Sequence, residues 1–152
     1  MSQLPRNPAR YIVVGVDGSA TAQAALRWAV QEAELTGDTV RAIVAWQYPA
    51  AFVGYGWAPV LMENEIDLIS ISEKVLADAI GQAVPAGSLV KVEQQVTQGY
   101  PPRVLVDASA EADLLVVGSR GHGTFTDALL GSVSQHCAHH AKCPVVIVRG
   151  TE

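Results

Sequence analysis

Asp113–Gly118 (DLLVVG) is an apolar run in which hydrophobic residues follow one another without alternating with polar ones. Such a strand has no face to offer to water. It belongs in the middle of a sheet covered on both sides, as in parallel α/β domains. The rest of the chain supplies what that demands. Tyr11–Val16 (YIVVGV) is a β-branched run that stops at Asp17-Gly18-Ser19, a turn sequence. Thr39–Trp46 (TVRAIVAW) reads as a second strand and Leu89–Thr97 as a third, with Val90, Val92 and Val96 set among Lys91, Glu93 and Gln95. Cys143–Arg149 (CPVVIVR) is the fifth.

Between these runs the period changes to that of a helix. Ala22, Ala25, Leu26, Ala29, Val30 and Ala33 recur at helical spacing up to Gly37-Asp38, with Ser19 or Thr21 placed to cap the N-terminus. Residues 47–61 read as a loop rich in Pro, Gly and aromatics. A long helix is expected from about Met62 to Ala83, with Ile66, Ile69, Leu76 and Ile80 on one face and Leu68, Ile71 and Val75 beside it. Pro85-Ala86-Gly87 ends it. Gly99-Tyr100-Pro101-Pro102 then places proline to open a helix carrying Val104, Leu105, Ala108 and Ala112. A last helix is expected to end near Lys142.

Five strands alternating with helices predict one α/β domain, a doubly wound parallel sheet with helices on both faces. Its extent is taken as residues 9–150, with 1–8 as a flexible N-terminal tail. Open sheets of this kind bind ligands beyond the carboxyl ends of their strands, at the point where the strand order reverses. Asp17, Ala45–Trp46 and Gly118 fall at those ends.

Composition narrows the function. The 152-residue chain is 49% hydrophobic and 16% charged, with a net charge of −5. An acidic chain lacks the broad basic face of a nucleic-acid binder. Its lysines are Lys74, Lys91 and Lys142, widely spaced, so an anionic ligand must be held by local dipoles and one or two arginines. The longest apolar stretches fall far short of the roughly 18 residues of a membrane span. Met1–Arg10 is polar and contains Pro5 and Pro8, so no secretory leader is read and a cytoplasmic protein is expected. Cys137 and Cys143, six residues apart, are expected to be reduced.

The chemistry concentrates after the buried strand. Gly118-Ser119-Arg120-Gly121 is followed, after nine residues, by Gly131-Ser132, where the last helix should begin. Glycines let backbone approach a ligand closely. Free N–H groups in such a loop and at a helix N-terminus make an anion site. The segment therefore reads as a phosphate cradle, to which the Ser132 and Ser134 hydroxyls add donors.

These residues resemble the ATP-binding branch of the universal stress protein family, marked by G-x2-G-x9-G-(S/T), met here at Gly118, Gly121, Gly131 and Ser132. VVGVDGS at Val13–Ser19, the G-x-P step at Gly99–Pro101 and the stretch from Val116 to Arg149 are also similar to bacterial, especially actinobacterial, members. The resemblance covers residues 9–149, without residue-specific likeness in 47–61. It implies a Rossmann-like sheet of order 3-2-1-4-5 that binds ATP with Mg²⁺. It places Gly15, Val16 and Asp17 against ribose and adenine, and the Ala45 backbone at the adenine edge. Val117, Gly118, Arg120 and Gly121 would line ribose and phosphates; Gly131, Ser132, Val133 and Ser134 would cradle the triphosphate. The resemblance further implies a homodimer through Val145–Val148, a stress-linked regulatory role and unnamed protein partners.

Other readings of the same residues stand beside these. Asp17 fits a helix cap as well as a ligand contact or a Mg²⁺ contact through the phosphates. Arg120, His122 and Ser119 fit either phosphate contact or a solvated turn. Phe52, Tyr55 and Trp57 fit a lid, a partner surface or a local packed cluster. His136, Cys137, His139, His140 and Cys143 sit together near a helix C-terminus, where cationic character is favourable; a metal site is rejected for want of a third well-placed ligand. The chain lacks GxxxxGK[ST], a Ser–His–Asp order and paired carboxylates near the cradle, so catalysis beyond weak ATP hydrolysis is not expected. A slow, partner-dependent ATPase and a nucleotide-independent scaffold are the rival functions, with AMP or a cyclic nucleotide as rival ligands.

Overall fold

The computed structural model describes residues 10–48, 58–120 and 130–150. Their order is β1 (Tyr11–Gly15), α1 (Ala20–Thr36), β2 (Thr39–Trp46), α2 (Ala58–Ala83), β3 (Val92–Gln98), α3 (Pro101–Ser109), β4 (Leu114–Gly118), α4 (Ser132–His140) and β5 (Val145–Val148). All neighbouring strands pair in parallel, in the order β3-β2-β1-β4-β5. The expected fold is the observed one.

Successive strand residues point to opposite faces, and each face is filled differently. Ile12 and Val14 of β1, Val40, Ala42 and Val44 of β2 and Val116 of β4 pack against α1 and α2. Val13, Ile43, Leu115 and Val117 face the other way, onto Leu105 of α3 and Cys137 of α4. Ile12, Val13, Val14, Leu115 and Val116 are fully buried, which is why β1 and β4 read as unbroken apolar runs.

Helix α1 buries the stripe the spacing predicts: Ala22, Ala25, Leu26, Ala29, Val30 and Ala33. Four alanines let it lie close over β1 and β4. The Ser19 side chain caps it, accepting a hydrogen bond from the Ala22 N–H at 3.3 Å. Gly37, in the left-handed conformation with φ 80°, closes it by donating to the Ala33 carbonyl.

Helix α2 departs from the expectation in two ways. It begins at Ala58, a turn before Met62, because Pro59 is tolerated in a first turn where its missing N–H is not needed. Its buried residues are Ser72, Leu76, Ala79 and Ala83, while Ile71 is 59% exposed and Ile69 and Ile80 are half-buried. Ile66 lies outside the residues whose side chains are described. Among the described residues the inward face joins Leu76, as expected, with the small Ser72, Ala79 and Ala83, and α2 packs on α1 as well as on the sheet, Gln23 Nε2 donating to the Ala79 carbonyl at 2.9 Å.

The third strand starts at Val92, and Leu89 is fully exposed. Ser88 Oγ accepts from the Val90 N–H, holding that segment in a turn until Val40 N–H reaches the Lys91 carbonyl. At the other end of the chain α4 stops at His140, and the Lys142 N–H donates instead to Ser109 Oγ at 2.8 Å. β5 is the four residues Val145–Val148, shorter than the seven-residue run. Arg41 joins β1, β2 and β3 on one face: its guanidinium lies 4.1 Å over the Tyr11 ring and 3.2 Å from Glu93.

Candidate functional site

Chain direction out of the sheet reverses between β1 and β4. From β1 the chain moves toward β2 and β3; from β4 it moves the other way, to β5. A cleft opens there, at the carboxyl ends of the strands, as the topology requires. Its empty space, counted out into the open solvent at its mouth, is about 610 Å³.

Three strand ends make its back wall: Gly15, Val16 and Asp17 from β1, Ile43 and Ala45 from β2, Val117 and Gly118 from β4. Pro101 and Leu105 of α3 close one side. Arg120, Gly131, Val133 and Ser134 close the other. The structure thus gathers Gly15, Val16, Asp17, Ala45, Val117, Gly118, Arg120, Gly131, Val133 and Ser134, expected from sequence to share a site, around one cavity. Ser132 sits exposed at the first position of α4, outside the cavity wall. Gly121, His122, Phe52, Tyr55 and Trp57, like the tail 1–8, lie outside the described residues.

Sequence reasoning missed Ala22, Ile43, Pro101 and Leu105 in the wall. Ile43 had a readable sign, since it is two residues before Ala45 and so shares its face of β2. Leu105 and Pro101 enter only through the packing of α3 under the sheet.

The two helix N-termini at the cleft are finished differently. The N-cap of α1 is Ser19, whose hydroxyl takes up one of its amides. The N-cap of α4 is Gly131, which has no side chain to offer, so no side-chain cap bond is made there. The first N–H groups of a helix have no partner within it, and those of α4 open beside Gly131 and Val133. That end carries partial positive charge.

Gly118 has a packing reason to be glycine. A β-carbon there would lie 2.6 Å from Thr21 Oγ1, 2.7 Å from the Thr21 carbonyl carbon and 2.8 Å from the Ala22 nitrogen. It lets α1 start directly against the end of β4. Asp17 lines the mouth, and its Oδ1 accepts the Ser19 N–H at 2.8 Å, so it shapes the turn into α1 while lying in the cleft wall. Ser119 is buried; its N–H donates to the Val148 carbonyl, and its own carbonyl accepts from the Gly131 N–H at 2.7 Å. Ser134 Oγ, also buried, lies within donating distance of the Ser119 carbonyl (3.2 Å) and the Gly131 carbonyl (3.0 Å). Among the described residues of the wall, the charged side chains are Asp17 and Arg120.

The histidine cluster lies on α4 away from these groups. His136 and His140 stack with ring centroids 4.6 Å apart, and His136 meets the Tyr100 ring edge-on at 6.4 Å. Among the described residues no group of three His, Cys, Asp or Glu side chains is placed to hold a metal ion. Burial pushes the Cys137 thiol up to about 11, with Cys143 adding to the rise; Cys143 is raised by its own burial and then by Asp113. Neither has the lowered pKa of a reactive thiol. Among the described residues no helix is long and apolar enough to cross a membrane.

With the cleft in place, comparison with known proteins has a site to refer to. Residues 9–149 match the sequence pattern of the Universal stress protein family. The chain belongs to the universal stress protein family. It is 39% identical, over 149 residues covering 93% of its length, to a universal stress protein of Mycolicibacterium smegmatis, of which the match covers 48%. The chain therefore spans about half the length of the curated relatives it matches. Among solved structures it is similar to universal stress protein UspA from Lactobacillus plantarum, with a TM-score of 0.80 at 24% identity, covering 94% of this chain and 100% of that one. It is also similar to a universal stress protein crystallised in complex with cAMP, with a TM-score of 0.65 at 31% identity, covering 91% of this chain and 95% of that one.

Proposed function

We propose that this chain binds ATP, accompanied by Mg²⁺, in the cleft between β1 and β4, and that occupancy of the cleft is the signal it passes on. The reading rests on one observation: an N-terminus of α4 capped by glycine opens into a cleft at the reversal of the strand order. Amides without a side-chain cap at such an end suit an anion. The apolar opposite side, Ile43, Ala45, Pro101 and Leu105, suits a flat base. Between them Asp17 suits a ribose hydroxyl or, through the phosphates, Mg²⁺, which would neutralise part of the triphosphate charge. Arg120 supplies the protein's own cationic contact. Gly15, Val16, Val117, Gly118, Gly121, Gly131, Ser132, Val133 and the Ser134 amide complete the proposed contact set, within a nucleotide-binding unit of residues 9–150.

One carboxylate and one guanidinium are a sparse apparatus for phosphoryl transfer, so regulation by binding is favoured over turnover. The place of β5 at the edge of the sheet supports a homodimer, and a stress-linked regulatory role in the cytoplasm accords with the family. The relative that holds cAMP favours a second ligand reading, a nucleoside monophosphate or cyclic nucleotide in the same cleft.

Calorimetric titration separates these readings. ATP, ADP, AMP, cyclic AMP and GTP are titrated with Mg²⁺ into the wild type and Gly131→Glu. Gly131 has φ −66°, which glutamate adopts freely, so the substitution tests charge and bulk rather than backbone strain. ATP binding at least tenfold weaker in the variant, as expected from a carboxylate placed against phosphates, supports the cradle. A folded wild type that ignores every nucleotide contradicts it, and cyclic AMP binding more tightly than ATP selects the second reading.

A further inference from the structure

Ser19 caps α1, and this leaves the other candidate for that role, Thr21, with its hydroxyl free of the capping task. That hydroxyl leaves its own helix. Thr21 Oγ1 donates to the carbonyl of Arg120, ninety-nine residues away in sequence, across the junction of α1 and β4. The preceding carbonyl, that of Ser119, is held by the Gly131 N–H at 2.7 Å, and the Ser134 hydroxyl of α4 lies between it (3.2 Å) and the Gly131 carbonyl (3.0 Å). Two consecutive carbonyls, on either side of the Arg120 α-carbon, are thus held from two different helices, one by the Thr21 hydroxyl of α1 and one by the start of α4. Thr21 is partly buried and Ser134 is 1% exposed, so water competes poorly for either bond.

The residue held this way is the cationic one of the described cleft wall. A long side chain gains precision when its backbone is fixed, because less freedom is left to lose on contact with a ligand. We infer that Thr21 and Ser134 are positioning residues that set Arg120 against the phosphates of the bound nucleotide, an inference that rests on the nucleotide reading above. On this account the Ser134 hydroxyl serves the phosphate through Arg120 rather than by touching it.

The test uses Thr21→Val, which keeps the shape and removes the hydroxyl, Thr21→Ser, which restores it, Ser134→Ala and Arg120→Gln. Mg²⁺-ATP and adenosine are titrated calorimetrically into each folded protein. Thr21→Val and Ser134→Ala should each weaken ATP by roughly 3- to 10-fold, the worth of one hydrogen bond, while adenosine binds as in the wild type. Thr21→Ser should bind ATP like the wild type. In an Arg120→Gln background, Thr21→Val should cost nothing further, because the group it positions is gone. Should Ser134→Ala unfold, the Thr21 pair decides alone.

Three results overturn the inference: a Thr21→Val protein with wild-type ATP affinity, an equal loss for ATP and adenosine, or the same loss with Arg120 already replaced. A wild type that binds neither ATP nor adenosine removes the nucleotide reading itself, and this inference with it.

Discussion

Gly118 and Thr21 meet so closely that a single methyl group has nowhere to go. A β-carbon at Gly118 would press on backbone atoms of α1, which cannot swing aside as a flexible side-chain tip would. Gly118→Ala should therefore lower stability by about 2–3 kcal/mol, as overpacking of a rigid site does. Urea denaturation measures this directly; an unchanged midpoint would show that α1 can retreat. Cys137 makes a second residue-scale prediction. It is fully buried, and burial pushes its thiol up to about 11 from the ordinary value of 9.0. Above the ordinary value the unfolded chain loses this proton while the folded chain keeps it, so the unfolded state binds fewer protons and stability falls as pH rises. The contribution is intact below about pH 9 and lost between about 9 and 11. Replacing Cys137 by Ala should remove that part of the alkaline loss in denaturation curves taken across this window; an identical pH profile would contradict it.

At the scale of elements, the two sheet edges differ in kind. β3 carries Glu93, Gln94, Gln95, Thr97 and Gln98, and polar side chains of this sort discourage edge pairing. β5 is Val-Val-Ile-Val. The carbonyls of Pro144 and Val148 accept bonds from β4. Since alternate residues of a strand bond to opposite sides, Val145 and Ile147 direct their main-chain groups away from the sheet. Ile147→Pro should abolish the proposed β5 dimer, removing an outward donor while keeping the bonds to β4. Light scattering that shows the variant monomeric and the wild type dimeric supports this; a dimer in both moves the interface elsewhere.

The same scale shows what the sequence displayed and what it hid. The fold was legible because β1 and β4 are apolar on both faces and α1 repeats small residues at helical spacing. The face of α2 was legible only in part: Leu76, Val75 and Ile80 join the core as expected, but Ile71 is exposed and Ser72 and Ala79 are buried. Hydrophobicity marks residues that are able to be buried, but close helix packing selects small ones. In the site, the strand-end glycines and Asp17 were readable from turn chemistry. Leu105, Pro101 and the Thr21–Arg120 bond were not, because each depends on two elements distant in sequence meeting at one point.

Taken whole, the molecule puts the proposed nucleotide cleft at one end of an acidic domain. With a net charge of −5, long-range attraction does not bring a polyanion in, and the local field of α4 and Arg120 must retain it. Nucleotide binding should accordingly depend only weakly on salt compared with a basic binding face. ATP affinity measured between low and physiological ionic strength should change by no more than a few-fold; a steep decline would point to a diffuse basic surface that this chain lacks. The most direct test is the position of the nucleotide. Amide chemical shifts of the ¹⁵N-labelled protein, followed as Mg²⁺-ATP is added, should change at Asp17, Gly118, Arg120, Gly131 and Val133 while Glu93 to Val96 of β3 stay still. Shifts confined to residues outside the β1–β4 cleft, or none at saturating ATP, would contradict the account.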